Sequence, residues 1–186
     1  MIDFLSIIDK YYAATPELRH ILVTHSQQVA ERAVAIVDKH PEWVAQGIVD
    51  RDFIYEAAML HDIGILYCQA PKIHCMGEHK YIEHGYLGAE ILRAEGLDKH
   101  ALVAERHTGT GITIEQVERE DLPIPLRDYC PVSIEEKIIC YADKFYSKSH
   151  LGEQVSIETI KHHTWKYGHD AILRWEALVA LCEGNV

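Results

Sequence analysis

The sequence is short of several things, and each shortage removes a class of protein. No CxxC pair joins any of its five cysteines, at 68, 75, 130, 140 and 182. That argues against a zinc ribbon or a thioredoxin-type redox motif. An odd number of cysteines with no secretion signal fits reduced thiols and a cytoplasmic location. The opening Met1-Ile2-Asp3-Phe4 has neither a basic segment nor a long apolar run. No stretch approaches the ~20 apolar residues of a membrane span. Positive charge is scarce: 18 Lys and Arg face 29 Asp and Glu, a net charge of −11. Nucleic acid and membrane surfaces are therefore not expected partners. Strand-like alternation is nearly absent, since Ile112-Thr113-Ile114 is too short to count. No internal repeat or low-complexity tract is visible. What remains is an all-α reading of 186 residues, enough for one domain with a real core and too few for two typical ones.

Histidine, by contrast, is abundant, with 13 in the chain, and it is the commonest nitrogen ligand for metals. The chain is organised around Ala57-Ala58-Met59-Leu60-His61-Asp62-Ile63-Gly64. Small apolar residues carry a His-Asp pair into the expected core, and Gly64 is expected to stop the helix. An Asp in such company needs a cation, a hydrogen bond or a proton. Read alone, the pair is equally consistent with a helix C-terminus, where His61 meets the dipole and Asp62 is solvated.

Helical periodicity places the rest. A short amphipathic helix spans about Asp3 to Ala13, with Phe4, Leu5, Ile8 and Tyr12 as its apolar members. Thr15 and Pro16 then open a long helix that ends before Pro41. Leu18, Leu22, His25, Val29, Ala33 and Ile36 recur every three or four residues, so His25 lies on the buried stripe. Asp50 caps the helix that carries His61. Residues 65–80 read as a long irregular insert containing His74, Cys75 and His79, the kind of loop that serves as a lid. His84 falls in the first turn of a helix stopped by Gly96, where Gly85 and Gly88 permit close backbone approach. Asp98 caps a helix ending at His107, and Thr108-Gly109-Thr110-Gly111 follows, a turn whose amides suit a phosphate oxygen. Residues 112–132, with three prolines and the charge run Glu118-Arg119-Glu120-Asp121, read as an internal linker. Ser133-Ile134-Glu135-Glu136 forms a capping box for a helix with Asp143 on its apolar face. Lys144, one residue on, is expected to point away from Asp143. Two further helices begin at Ser156 and near His169, and His162 and His163 read as surface.

Taken in order, His25, His61-Asp62, His84, His107 and Asp143 spell H…HD…H…H…D. Over about residues 18–150 this resembles the HD-domain metal-dependent phosphohydrolase superfamily in its five-segment, two-metal form. The HTxG and IIxYAD segments look most like the bacterial HD-type diadenosine tetraphosphate hydrolases. The string Ile73-His74-Cys75-x-Gly77 resembles a loop in a subset of HD-domain proteins that carry HDIG. The resemblance implies a single helical HD bundle over 1–186, with the metal-site core at about 18–150 and the helices of 151–184 packed on it. It also implies that His25, His61, Asp62 and Asp143 hold one ion, that Asp62 bridges, and that His84 and His107 hold a second.

Imidazole with carboxylate suits divalent Fe, Mn, Co, Ni or Zn, and the absence of Cys from the set argues against structural zinc. Two such ions would use all six side chains and generate a nucleophilic hydroxide. The expected activity is hydrolysis of a small phosphorylated substrate, a nucleotide, with Asp62 orienting the nucleophile and Lys144 as a cationic helper. Lys72, Lys80, Arg106, His74, Thr108 and Gly109 are candidate substrate contacts. Three alternatives stay open. They are a one-metal 5'-nucleotidase or cyclic-nucleotide phosphodiesterase, a non-catalytic metal-binding helical domain, and a di-iron oxygenase of the same fold. Trp43, Trp165 and Trp175 leave a homodimer open.

Overall fold

The computed structural model describes residues 2–184, so Met1, Asn185 and Val186, the outermost residues of the expected domain, lie outside it. The described chain is all-α, with two two-stranded hairpins. In chain order the helices are α1 (Phe4–Tyr12), α2 (Pro16–Asp38), α3 (Pro41–Ala45), α4 (Arg51–Leu60), α5 (His84–Ala94), α6 (Asp98–Arg106), α7 (Ile114–Arg119), α8 (Ile134–Asp143), α9 (Ile157–Thr164) and α10 (His169–Glu183). The antiparallel strands are β1 (Gln69–Ala70) with β2 (Cys75–Met76), and β3 (Tyr146–Ser147) with β4 (His150–Gln154).

Caps account for several boundaries. The carboxylate of Asp50 accepts from the amides of Asp52 and Phe53 and starts α4. Ser133 accepts from Glu136 N at the start of α8, but Glu136 returns to Val132 N rather than completing the reciprocal box. Thr15 precedes α2 without a side-chain cap bond, and Leu97, not Asp98, occupies the N-cap of α6.

Two apolar clusters build the interior. One joins α2, α4, α8 and α10 through Val29, Ala33, Ile54, Ala57, Ile138, Ile139 and Trp175. The other joins α1, the first turns of α2, the end of α4, α5 and α6 through Ile8, Leu22, Leu60, Ile63, Leu92 and Ala104. His25 sits between Leu22 of the second and Val29 of the first, and His61 follows Leu60. The candidate ligands therefore lie along the seam between the clusters.

Several expectations need correction. Leu5 is exposed. Trp175 is fully buried and stacks on Tyr141, so it belongs to the core and not to a free surface. Residues 65–80 are not irregular: a 3-10 helix (Ile63–Tyr67), the β1–β2 hairpin and a second 3-10 turn (Pro71–Ile73) organise them, with Ile73 and Cys75 buried. Residues 112–132 hold α7, capped by Thr113, and a small satellite core of Ile112, Val117 and Tyr129. Gly64 does not stop α4, which ends at Leu60, and it lies inside the 3-10 helix. Its role is steric. A Cβ there would overlap the carbonyl oxygen of His84 and the backbone nitrogen of Gly88. Gly85 performs the same service toward α6, where a Cβ would lie 2.8 Å from Ala104 O. These two glycines bring α4, α5 and α6 together, and each of the three helices ends or begins at a candidate ligand.

Candidate metal centre

Each imidazole is delivered by a helix, and three are oriented by the same device. The Nδ1–H of His61 donates to Ala58 O at 2.6 Å, that of His84 to Tyr81 O at 2.6 Å, and that of His107 to Ala104 O at 2.7 Å. A carbonyl accepts only, so each ring donates from Nδ1 and turns Nε2 toward the site. His25 lies on the buried stripe of α2, and Asp143 is the last residue of α8. Tyr12 steadies the turn after Asp62: its hydroxyl donates to Ile63 O and accepts from Leu66 N.

The Nε2 atoms converge on the two carboxylates. His25 Nε2 lies 3.1 Å from Asp62 Oδ2 and 3.0 Å from Asp143 Oδ1. His61 Nε2 lies 3.1 and 3.4 Å from the same two oxygens. The other Asp62 oxygen, Oδ1, faces His107 Nε2 at 3.3 Å and His84 Nε2 at 3.5 Å. The donors thus form two groups that share Asp62: His25, His61, Asp62 and Asp143 in one, and Asp62, His84 and His107 in the other.

This arrangement fits a divalent cation on its own chemistry. His84 Nε2 and His107 Nε2 stand 3.0 Å apart. Both rings have spent their protons on backbone carbonyls, so two lone pairs confront each other, which a shared cation relieves. Neither Asp62 oxygen accepts a well-aligned hydrogen bond, although the residue is fully buried. Charge points the same way. Burial works against ionisation of Asp62, but the His61 and Lys148 charges outweigh it and hold the carboxyl well below its ordinary range. Burial likewise opposes charge on His61, yet Asp62 and Asp143 lift its pKa to about 9, so without a metal the ring is a cation whose Nε2 proton holds the place a metal would take on binding. Burial, helped by the neighbouring His107, pushes His84 down to about 3, and burial lowers His107 as well, so both rings stay neutral, the form in which imidazole binds a metal.

The remaining sequence candidates divide. Lys144 Nζ bonds Asp143 Oδ2 at 2.5 Å, so it does not point away. Thr108 and the exposed Gly109 follow His107 directly, with Gly109 at φ +60°. Arg106 is committed to Glu136 at 3.1 Å. His74 lines a shallow depression with Pro16, Glu17, His20 and Ile21, a lining that includes none of the candidate ligands, and Lys72 and Lys80 are exposed. Lys148 was not anticipated. It sits in the two-residue turn between β3 and β4, and its ammonium reaches Asp62 Oδ2 at 2.6 Å. No periodicity marks a turn lysine for burial; only the fold of the hairpin back over α2 does. Tyr81, which stacks on His84 with centroids 4.7 Å apart, was also missed.

Residues 22–147 match the HD domain, well over half of the chain and the whole of the ligand set. The chain belongs to the HD-domain family. Among curated relatives, an uncharacterized protein of Methanocaldococcus jannaschii is 43% identical over 119 residues, covering 63% of this chain and 59% of that protein. Two proteins named tRNA (cytidine(56)-2'-O)-methyltransferase are also similar. The one from Picrophilus torridus is 32% identical over 85% of this chain and 40% of its own length. The one from Thermoplasma volcanium is 33% identical over 77% of this chain and 35% of its own length. The chain therefore spans less than two thirds of each of these relatives, and well under half of the two methyltransferases. No solved structure matches significantly. No described helix is long and apolar enough to cross a membrane.

Proposed function

We propose that this HD domain is a metal-dependent phosphohydrolase that cleaves a phosphoester or phosphoanhydride of a nucleotide. The observation that carries the reading is the division of one buried carboxylate between two donor groups, with two proton-free imidazole nitrogens facing each other in the second group. His25, His61, Asp62 and Asp143 would hold one divalent ion of the Fe, Mn, Co, Ni or Zn class, and Asp62, His84 and His107 a second. When bound, such a pair supplies a water acidic enough to be hydroxide at neutral pH and neutralises phosphoryl charge. Asp62 orients the attacking oxygen, because both of its own oxygens border the site. The carbonyls of Ala58, Tyr81 and Ala104 hold the imidazoles in the tautomer that ligation needs. Lys144 supplies positive charge beside Asp143, and the turn at Thr108-Gly109 offers backbone to the substrate. His74 and Arg106 are not retained as substrate contacts, since one faces α2 and the other is paired with Glu136.

A dinucleoside polyphosphate is the first substrate to test, on the strength of the HTxG and IIxYAD segments. This chain spans only 40% and 35% of the two relatives named for methyl transfer, so that activity is not carried over to it. The deciding experiment is metal analysis of the purified protein, then a nucleotide panel with the metal restored. Two ions per chain, one in His84→Ala, and phosphate release from a nucleotide are expected. One ion in both proteins would favour a one-metal nucleotidase or phosphodiesterase. No phosphate release from any nucleotide by the loaded protein would overturn the hydrolase reading.

A further inference from the structure

Two ammonium groups share the rim of the centre. Lys144 Nζ is 2.5 Å from Asp143 Oδ2 and Lys148 Nζ is 2.6 Å from Asp62 Oδ2, with side chains only 16% and 13% exposed. Burial, and to a lesser extent the Lys148 charge, works against the charge on Lys144, and Asp143 outweighs both. Lys148 also lies 6.0 Å from the ring of Tyr81, the residue stacked on His84, so it overlooks both donor groups. Among the described residues no other lysine or arginine forms an ion pair with these two carboxylates.

The charge balance has a consequence. The two ammoniums match the two carboxylates one for one. Divalent ions at the same carboxylates would add four positive charges and leave both ammoniums, largely buried, without counter-ions, a costly state unless anions replace them. A hydroxide generated there would supply one negative charge. A phosphodiester group supplies one more, and a terminal phosphoryl group two.

We infer that Lys144 and Lys148 form a two-ammonium clamp for a terminal, dianionic phosphoryl group and that this clamp sets the centre's preference for phosphomonoesters and terminal phosphoanhydrides over phosphodiesters. The inference rests on the phosphohydrolase reading above and narrows it. A dinucleoside polyphosphate, esterified by a nucleoside at both ends, has no terminal phosphoryl group. A mononucleotide is therefore the expected substrate, and cleavage of the dinucleotide in preference to it counts against the clamp. Lys148, carried on the β3–β4 turn, is the half of the clamp that the hairpin positions, and loss of its charge-assisted contact weakens phosphate binding by roughly 10- to 100-fold.

The test uses the full chain loaded with Mn. Calorimetry measures binding of inorganic phosphate to the wild type, Lys148→Met and Lys148→Arg, with ion content measured on the same samples. The expected result is unchanged ion content, the stated loss in Lys148→Met, and recovery of most of it in Lys148→Arg. Turnover of p-nitrophenyl phosphate against bis(p-nitrophenyl) phosphate is then compared in the wild type, a readout that does not depend on any variant folding. Preference for the monoester, reduced in Lys148→Met, is expected. A wild type that binds phosphate while Lys148→Met binds it equally well, or that cleaves the diester at least as well as the monoester, overturns the clamp and leaves the phosphohydrolase reading standing. A loaded wild type that neither binds phosphate nor cleaves either ester overturns both.

Discussion

The packing at Gly64 allows a prediction that joins fold to site. Gly64→Ala places a methyl group 2.8 Å from Gly88 Cα and closer still to the His84 carbonyl. Ordinary carbon contacts begin near 3.4 Å, so α5 must retreat by at least about 0.6 Å, with backbone rather than a flexible side chain in the way. Overpacking of this kind costs about 1–3 kcal/mol, and for a chain of this size each kcal/mol lowers Tm by about 2–4 °C. His84 is the first residue of α5, so the retreat carries its Nε2 away from His107 and from Asp62 Oδ1. Metal sites tolerate errors of only about 0.2 Å in ligand distance. The expected result is a Tm lower by about 2–12 °C and loss of one ion per chain, with the ion at His25, His61 and Asp143 retained. Thermal melts and metal analysis of dialysed protein measure both. Gly96→Ala is the control: Gly96 has φ +75° with nothing within 4 Å, so that change costs backbone strain of about 1 kcal/mol and leaves ion content alone. A Gly64→Ala protein that melts with the wild type and binds as many ions would refute the steric account of His84.

Three further outcomes are expected. Tyr12→Phe removes the hydroxyl that links Ile63 O and Leu66 N; leaving those buried groups short of a partner costs about 1–3 kcal/mol in urea unfolding, and a cost near zero would show that the turn after Asp62 is held by packing alone. Trp175→Ala empties a fully buried site between Tyr141 and Phe145, at about 3–5 kcal/mol; a loss under 1 kcal/mol would show that α10 is not part of the cooperative core. Burial lifts the thiols of Cys68, Cys140 and Cys182 to about 12 and that of Cys75 to about 11. These folded values exceed the unfolded value near 9, so the stability they contribute is complete below pH 9 and falls as pH rises toward 11–12. At pH 8, alkylation should reach the partly exposed Cys130 first and the four buried thiols only on unfolding; prompt labelling of Cys140 in the folded protein would contradict this.

The candidate ligands were legible in the chain because each is marked by a local feature. His25 follows the helical stripe of Leu18, Leu22 and Val29, and Asp143 follows that of Ile138, Ile139 and Ala142, so periodicity alone buries them. An acid placed on an apolar face demands a cation, and the sequence sets two such acids and four histidines in a fixed order. The caps at Asp50 and Ser133 were legible for the same reason, being contacts within four residues. Long-range steric and electrostatic facts were not. That Gly64 serves α5 rather than ending α4, that Asp62 offers one oxygen to each pair of histidines, and that Lys148 lies against it all depend on backbones far apart in sequence. The short hairpins and the satellite core around Tyr129 escaped because strands of two to five residues and a proline-rich stretch carry no usable period. The sequence by itself determined which side chains had to leave water, since burial follows from the spacing of apolar neighbours. Only the tertiary structure decided which oxygen faces which nitrogen and which ammoniums stand beside them, because those distances come from helices packing at glycine contacts that no local pattern encodes.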